Sequence, residues 1–119
     1  MRKITKIDIV TRPNKLDELK EAMNRIGVRG MTVSQVYGCG LQKGHTEVYR
    51  GQEYHINLVP KLKVEIVVCE VPVEQVLETA QQVLRTGQVG DGKIFVYNVE
   101  NAVRIRTGAL GDAAIMDEK

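Results

Sequence analysis

Isoleucines alternate with polar residues from Lys6 to Thr11, placing Ile7 and Ile9 on one face and predicting a β-strand. Arg12-Pro13-Asn14 breaks the alternation, and Asn14 stands where it would cap a helix. Asp17 and Glu18 fall in the first turn of that helix, where its dipole favours carboxylates. Leu16, Leu19, Met23 and Ile26 recur at helical spacing, and Gly27 supplies the stop. Gly30 to Val36 predicts a second strand, completing one β-α-β unit.

The same order then repeats. In the segment from Leu58 to Cys69, Leu62, Val64 and Ile66 face one way and Lys61, Lys63 and Glu65 the other. Pro72 suits the first position of a helix, and Val73, Val76, Leu77, Ala80, Val83 and Leu84 form its apolar stripe. A glycine-rich turn from Gly87 to Lys93 leads into a strand at Ile94 to Val99, and Ala102 to Arg106 predicts a short final strand. Two β-α-β halves indicate a ferredoxin-like α+β sandwich. Its helices cover one sheet face, and an aliphatic open face would stay wet unless a second subunit covered it, which favours a homo-oligomer.

Between the halves runs Gly40 to Tyr54, polar and without an apolar repeat. Connections in compact domains usually take about 4–6 residues, and those beyond roughly 12–15 are commonly functional or disordered. A small domain that carries such a loop is expected to use it.

Composition narrows the field. At 119 residues the chain has the length of one domain, with 43% apolar and 27% charged residues and a formal net charge of +2. That balance suits a soluble globular protein and disfavours a nucleic-acid tail or a disordered chain. No apolar run is long enough to span a bilayer, and the opening Met-Arg-Lys-Ile-Thr-Lys-Ile-Asp lacks the apolar stretch of a secretory signal, so the cytoplasm is the expected compartment. Cys39 and Cys69 match no ligand or redox spacing and read as free thiols.

Three groups of residues carry candidate chemistry. Gly87-x-x-Gly90-Asp91-Gly92-Lys93 has the makings of a phosphate cradle, because glycines let backbone N–H groups converge on an anion and the lysine adds charge. A tight turn between helix and strand is the plainer reading. Arg104 and Arg106 lie two apart on the predicted last strand, so both guanidiniums would leave one face and share an anion, or else solvate a strand edge. Lys61 and Lys63 share a face and would pair with a small carboxylate or with water. His45, Glu47, Glu53 and His55 match no compact metal motif, and no Ser/His/Asp or Cys/His set is placed for nucleophilic catalysis.

Together these segments have a family likeness. Arg12-Pro-Asn-Lys-Leu16, Gly30-Met-Thr-Val33, Gln42-Lys-Gly-His-Thr-Glu47, Tyr49-Arg-Gly51, Glu53-Tyr54, Gly90-Asp-Gly-Lys-Ile-Phe-Val96, Arg104-Ile-Arg-Thr-Gly108 and Asp112-Ala-Ala-Ile115 occur in order and at the right spacing, and the chain closely resembles the PII nitrogen-regulatory signal proteins from end to end. The resemblance implies one signalling domain over 1–119, with a T-loop at about 40–57, a phosphate turn at 87–93 and a C-terminal segment at 104–119. It implies a homotrimer with ATP or ADP in the clefts between subunits. Thr32, Gly38, Gly40, Glu65, Val67, Gly90, Asp91, Gly92, Lys93, Arg104 and Arg106 would bind the nucleotide. 2-Oxoglutarate would bind beside ATP through a shared Mg²⁺, with Gln42 as an oxygen ligand to the metal and Lys61 on the distal carboxylate. Arg50 matches the residue that relatives insert into an ammonium transporter, so a membrane would be met only through that partner. Nitrogen-regulatory enzymes or kinases are the other implied partners, and Tyr54 matches a tyrosine that some lineages nucleotidylate.

Departures from the family pattern are also visible. Leu41 stands where many relatives have an arginine that reaches the nucleotide, Gln88 replaces a frequent lysine, and Gln52 occupies a position that is a phosphorylatable serine elsewhere. The implied function is regulatory and non-enzymatic. A slow nucleotide hydrolase on the same scaffold is the alternative, and it lacks a convincing general base. RNA binding by sheet aromatics would rest on Phe95 and Tyr97 alone, on a central strand without a basic surround, so no nucleic-acid partner is expected.

Overall fold

A computed structural model describes residues 2–41 and 56–116, with 40, 41, 56 and 57 described by backbone alone. Gln42, Arg50 and Tyr54, with the loop histidines and glutamates, lie outside the described residues. The elements are β1 (Ile4–Thr11), α1 (Leu16–Arg25), β2 (Thr32–Leu41), β3 (Ile56–Val68), α2 (Val73–Leu84) and β4 (Lys93–Val99). The four strands form one sheet in the order β2-β3-β1-β4, and every neighbouring pair is antiparallel. This is the ferredoxin-like arrangement expected of two β-α-β halves.

Alternation on the two central strands decides where the core sits. Ile7 and Ile9 of β1 face Ile66 and Val64 of β3, and all four are fully buried under Leu19 and Met23 of α1 and Val76 and Ala80 of α2. Burying each such aliphatic side chain contributes about 1.5–3 kcal/mol, so this layer fixes the register: a slip by one residue would turn every isoleucine outward.

The opposite face is not aliphatic, contrary to expectation. Lys6 Nζ lies 2.9 Å from Glu65 Oε1 and 3.5 Å from Asp8 Oδ1, and Lys63 Nζ is 3.8 Å from Asp8 Oδ2. The Lys6 ammonium also sits 5.5 Å from the centre of the Tyr97 ring. Alternating signs in adjacent rows offset one another, so the middle of this face carries a charge network instead of an apolar patch.

Several boundaries move for identifiable reasons. Asn14 does not cap α1; Pro13–Lys15 form a 3-10 turn and Lys15 is the capping position, without a side-chain hydrogen bond. Pro72 is likewise the cap of α2, one place before the expected first position. The second strand starts at Thr32 and continues past Val36 to Leu41, paired with β3 as far as Leu41 opposite Ile56. Beyond Val36 this ribbon has no core beneath it, and Tyr37, Leu58 and Val59 are exposed, so backbone pairing extends where apolar alternation gives no signal. The expected strand Ala102 to Arg106 is absent. A single bridge joins Val103 to Leu110, and the chain between them turns, with the Gly108 N–H donating to Arg104 O at 2.7 Å. β4 lies at the sheet edge, so Phe95 and Tyr97 are not on a central strand.

Candidate functional site

The turn from Thr86 to Gly92, between α2 and β4, is shaped by side chains from elsewhere. Thr11 Oγ1 donates to Asp91 O at 3.1 Å, Arg12 Nη2 to Val89 O at 3.1 Å, and Lys61 Nζ to Gly90 O at 2.7 Å. Three consecutive carbonyls are thus drawn in toward the ends of β1 and β3. In a trans peptide the N–H points opposite to its C=O. Pinning Val89 O and Asp91 O inward therefore sends the N–H groups of Gly90 and Gly92 outward, the geometry of a backbone anion nest.

Glycine is required here for two reasons. Gly90 and Gly92 have φ of 106° and 107°, a region disfavoured for other residues. A Cβ on Gly92 would stand 1.8 Å from Val10 O, so the backbones of turn and strand pass too closely for any side chain.

Asp91 serves the turn internally. Its carboxylate accepts from the Thr86 hydroxyl, from the N–H groups of Thr86 at 2.8 Å and Gly87 at 2.9 Å, and from Arg12 Nη2 at 3.2 Å. The Thr86 hydroxyl is the main cause of a pKa held well below the ordinary carboxylate range, with the Thr86 and Gly87 amides and Arg12 adding to it against the opposing effect of burial. The side chain of Asp91 is thereby committed to holding the loop.

Lys93 opens β4, exposed, in the row of Val10 and Lys63. Gly38 sits opposite Val59 on the ribbon, toward the same end of the sheet. Thr32 faces Glu65, and Val67 lies two residues further along β3 in the row of Lys6 and Tyr97, toward the other end. Glu65 is held ionised below its usual pKa, chiefly by its hydrogen bond from Lys6.

Arg104 and Arg106 belong to this second end. They lie in the turn after β4, and the segment is tied down where Arg2 N–H donates to Asp112 Oδ2 at 3.0 Å, beside Ile4 and its partner Val99. Arg104 Nη2 donates to the Met116 carbonyl. Lys93 and Val99 bound a strand about 20 Å long, so closeness in sequence does not bring the arginines to the glycine turn. The two-strand-face argument for them also fails, because they sit in a turn. Within one chain the candidate residues separate into two groups: Gly38, Lys61 and Gly90 to Lys93 at one end and Arg104 and Arg106 at the other, with Val67 toward the arginines and Thr32 and Glu65 in the Phe95 row between.

Thr11, Arg12 and Thr86 escaped the sequence reading. Thr86 and Asp91 bracket the glycines, a pattern compatible with a side-chain-closed turn. Nothing local marks Arg12, because its partners lie far along the chain. Cys39 and Cys69 are free, and burial first of all raises the pKa of Cys69. Among the described residues no helix is long and apolar enough to cross a membrane, and no group of His, Cys, Asp and Glu could hold a metal ion.

The fold is that of a small α+β protein with a ferredoxin-like sheet and a glycine turn at one end of it. Residues 4–109 match the family described as nitrogen regulatory protein P-II, and the chain belongs to that family. It is 54% identical over 110 residues to the nitrogen regulatory PII-like protein of Bacillus subtilis (strain 168), covering 92% of this chain and 95% of the relative. It is 53% identical to the nitrogen regulatory protein P-II of Rhodospirillum rubrum, covering 92% and 98%. Among solved structures, B. subtilis GlnK superposes with a TM-score of 0.83 at 53% identity, covering 95% of this chain and 99% of that one. The B. subtilis GlnK–ATP complex gives a TM-score of 0.85 at 53% identity, covering 95% and 98%.

Proposed function

We propose that this chain is a non-enzymatic nitrogen-regulatory signal protein that binds ATP or ADP and 2-oxoglutarate between the subunits of a cytoplasmic homotrimer. The carrying observation is the set of three carbonyls pinned inward from Val89 to Asp91, which points the Gly90 and Gly92 N–H groups at an anion beside Lys93. Similarity to GlnK, solved with ATP, supports a nucleotide as that anion.

The two clusters argue for a site shared between chains. One nucleotide reaches both only if the glycine-turn end of one chain meets the arginine-turn end of another. Such a contact is head-to-tail, and a head-to-tail contact gives a ring when its rotation closes; three chains is the number the family resemblance implies. Exposed Phe95, Val96 and Tyr97 on edge strand β4 favour the same assembly. Thr32, Glu65 and Val67 would then take adenine and ribose, while Gly90 to Lys93, Arg104 and Arg106 hold phosphates, Asp91 acting through its backbone. Gly38 and Gly40 complete this side at the base of the loop.

Mg²⁺ fits the donor chemistry. It is a hard ion that usually keeps phosphate and carboxylate oxygens and few protein ligands, so the Gln42 amide oxygen suffices as the protein's share. Lys61 would neutralise the distal carboxylate of 2-oxoglutarate. The loop at 40–57 would carry the output, with Arg50 meeting an ammonium transporter or a nitrogen-regulatory enzyme or kinase and Tyr54 open to nucleotidylation. Each ligand shifts the loop only by its differential affinity for the loop's alternative shapes, and partner binding feeds back equally on ligand affinity.

Calorimetry with ATP, ADP and 2-oxoglutarate, with and without Mg²⁺, tests this. 2-Oxoglutarate should bind only when Mg-ATP is present, and equal binding to the nucleotide-free protein would overturn the shared-metal arrangement. Gln42→Ala should lose the 2-oxoglutarate response and keep measurable ATP affinity.

A further inference from the structure

Behind the glycine turn lies a clasp that binds nothing itself. The Arg12 Nη2 group reaches Val89 O at 3.1 Å and Asp91 Oδ1 at 3.2 Å. The guanidinium packs against Gly90 so closely that a Cβ there would stand 3.2 Å from Nη2. The same carboxylate holds Thr86 and Gly87. Pro13 confines Arg12 to an extended backbone, here φ −68° and ψ 141°, and the 3-10 turn that follows fixes where the side chain starts.

Arg12 and Asp91 neutralise each other, so the pair adds little net field at the turn. What it supplies is direction: Val89 O belongs to the same peptide as the Gly90 N–H, so the Arg12 contact aims that N–H. Thr86, by bonding Asp91, keeps the carboxylate where Arg12 can reach it. We propose that Arg12 and Thr86, joined through Asp91, are positioning residues of the phosphate site, acting on a bound polyphosphate through the orientation of the Gly90 peptide. This rests on the nucleotide reading above.

Arg12→Lys tests it, since lysine keeps the charge but is shorter and does not carry a donor as far as the Nη2 that bridges Val89 O and Asp91 Oδ1. ATP affinity, measured by calorimetry, should fall roughly tenfold, about the loss of one charge-assisted hydrogen bond. Affinity for adenosine, which lacks phosphates, should stay unchanged. In the ligand-free protein the Gly87 amide, which donates to the Asp91 carboxylate that Arg12 holds, should exchange faster with solvent, while core amides such as Ile7 keep their protection. Thr86→Val should shift ATP affinity in the same direction, and serves if Arg12→Lys does not fold. Unchanged ATP affinity together with unchanged Gly87 exchange would overturn the proposal, as would an equal loss for ATP and adenosine. If the wild-type chain bound no ATP, the nucleotide reading would fall with the ligand half of the proposal, and Gly87 exchange alone would decide whether Arg12 holds the turn.

Discussion

The turns at the two ends of β4 are held in opposite ways. Residues 86–92 are fastened from outside by Thr11 and Lys61, which reach them from β1 and β3, and by Arg12 just after β1. Residues 104–108 close mainly on themselves, through Gly108 N–H to Arg104 O and Arg104 N–H to Ala109 O at 2.9 Å. The first turn inherits the rigidity of the sheet centre and can present peptide dipoles in a set direction, which a binding site needs before its ligand arrives. The second carries its charge on side chains above a small local loop. Fixed dipoles from one chain and guanidinium charges from another would divide the recognition of a polyphosphate between them.

The largest expected effect comes from breaking the first turn at its tightest point. Gly92→Ala meets both a positive φ and the Val10 carbonyl, so it should destabilise the protein by on the order of 3 kcal/mol, read by chemical denaturation, and remove ATP binding. Next is a test of the division itself. Lys93→Ala and Arg106→Ala should each lose most ATP affinity alone, but mixed and reassembled chains should recover a fraction of full-affinity sites, because some clefts would pair an intact lysine with an intact arginine. No recovery after confirmed mixing would place both residues in one chain's site. Gly108→Ala sharpens the contrast: φ is +75°, but no atom lies within 4 Å of a new Cβ. It should cost only about 1 kcal/mol.

The smallest effect is a difference in acid tolerance. Asp91 and Asp112 both have pKa values lowered from 3.8, Asp91 chiefly by the Thr86 hydroxyl and Asp112 chiefly by the Arg2 N–H. A carboxylate depressed on folding adds stability that is complete above its unfolded pKa and disappears as pH falls through the folded one. Asp91 has more donors and the deeper shift, so amide protection at Gly87 should survive to lower pH than protection at Arg2. Simultaneous loss of both would show that the two turns do not titrate independently.

How much of this was legible in the sequence follows from the range of the interactions concerned. Ile7, Ile9, Val64 and Ile66 announce their strands because alternation is local and the core reads it directly. The ribbon beyond Val36 stays silent because its pairing is backbone to backbone. Gly90, Gly92 and Lys93 stand out by composition, whereas Arg12, separated from Asp91 by most of the chain, has no local mark. Arg104 and Arg106 follow Lys93 closely in sequence, but sequence distance ignores the length of an intervening strand. The charge network of Lys6, Asp8, Lys63 and Glu65 depends on register across strands, which one strand's pattern does not reveal.

β4 has a consequence for the chain on its own. From Ile94 to Val99 it is a run of six residues without a charge or a proline, on an edge strand, with Phe95, Val96 and Tyr97 each close to half exposed. Short uncharged β-prone segments on open edges are templates for uncontrolled strand pairing. In the proposed ring this edge would be covered by the contact that completes the nucleotide cleft. A chain short of partners would then be exposed to aggregation as well as signalling failure, so selection for solubility and selection for ligand sensing would act on the same surface.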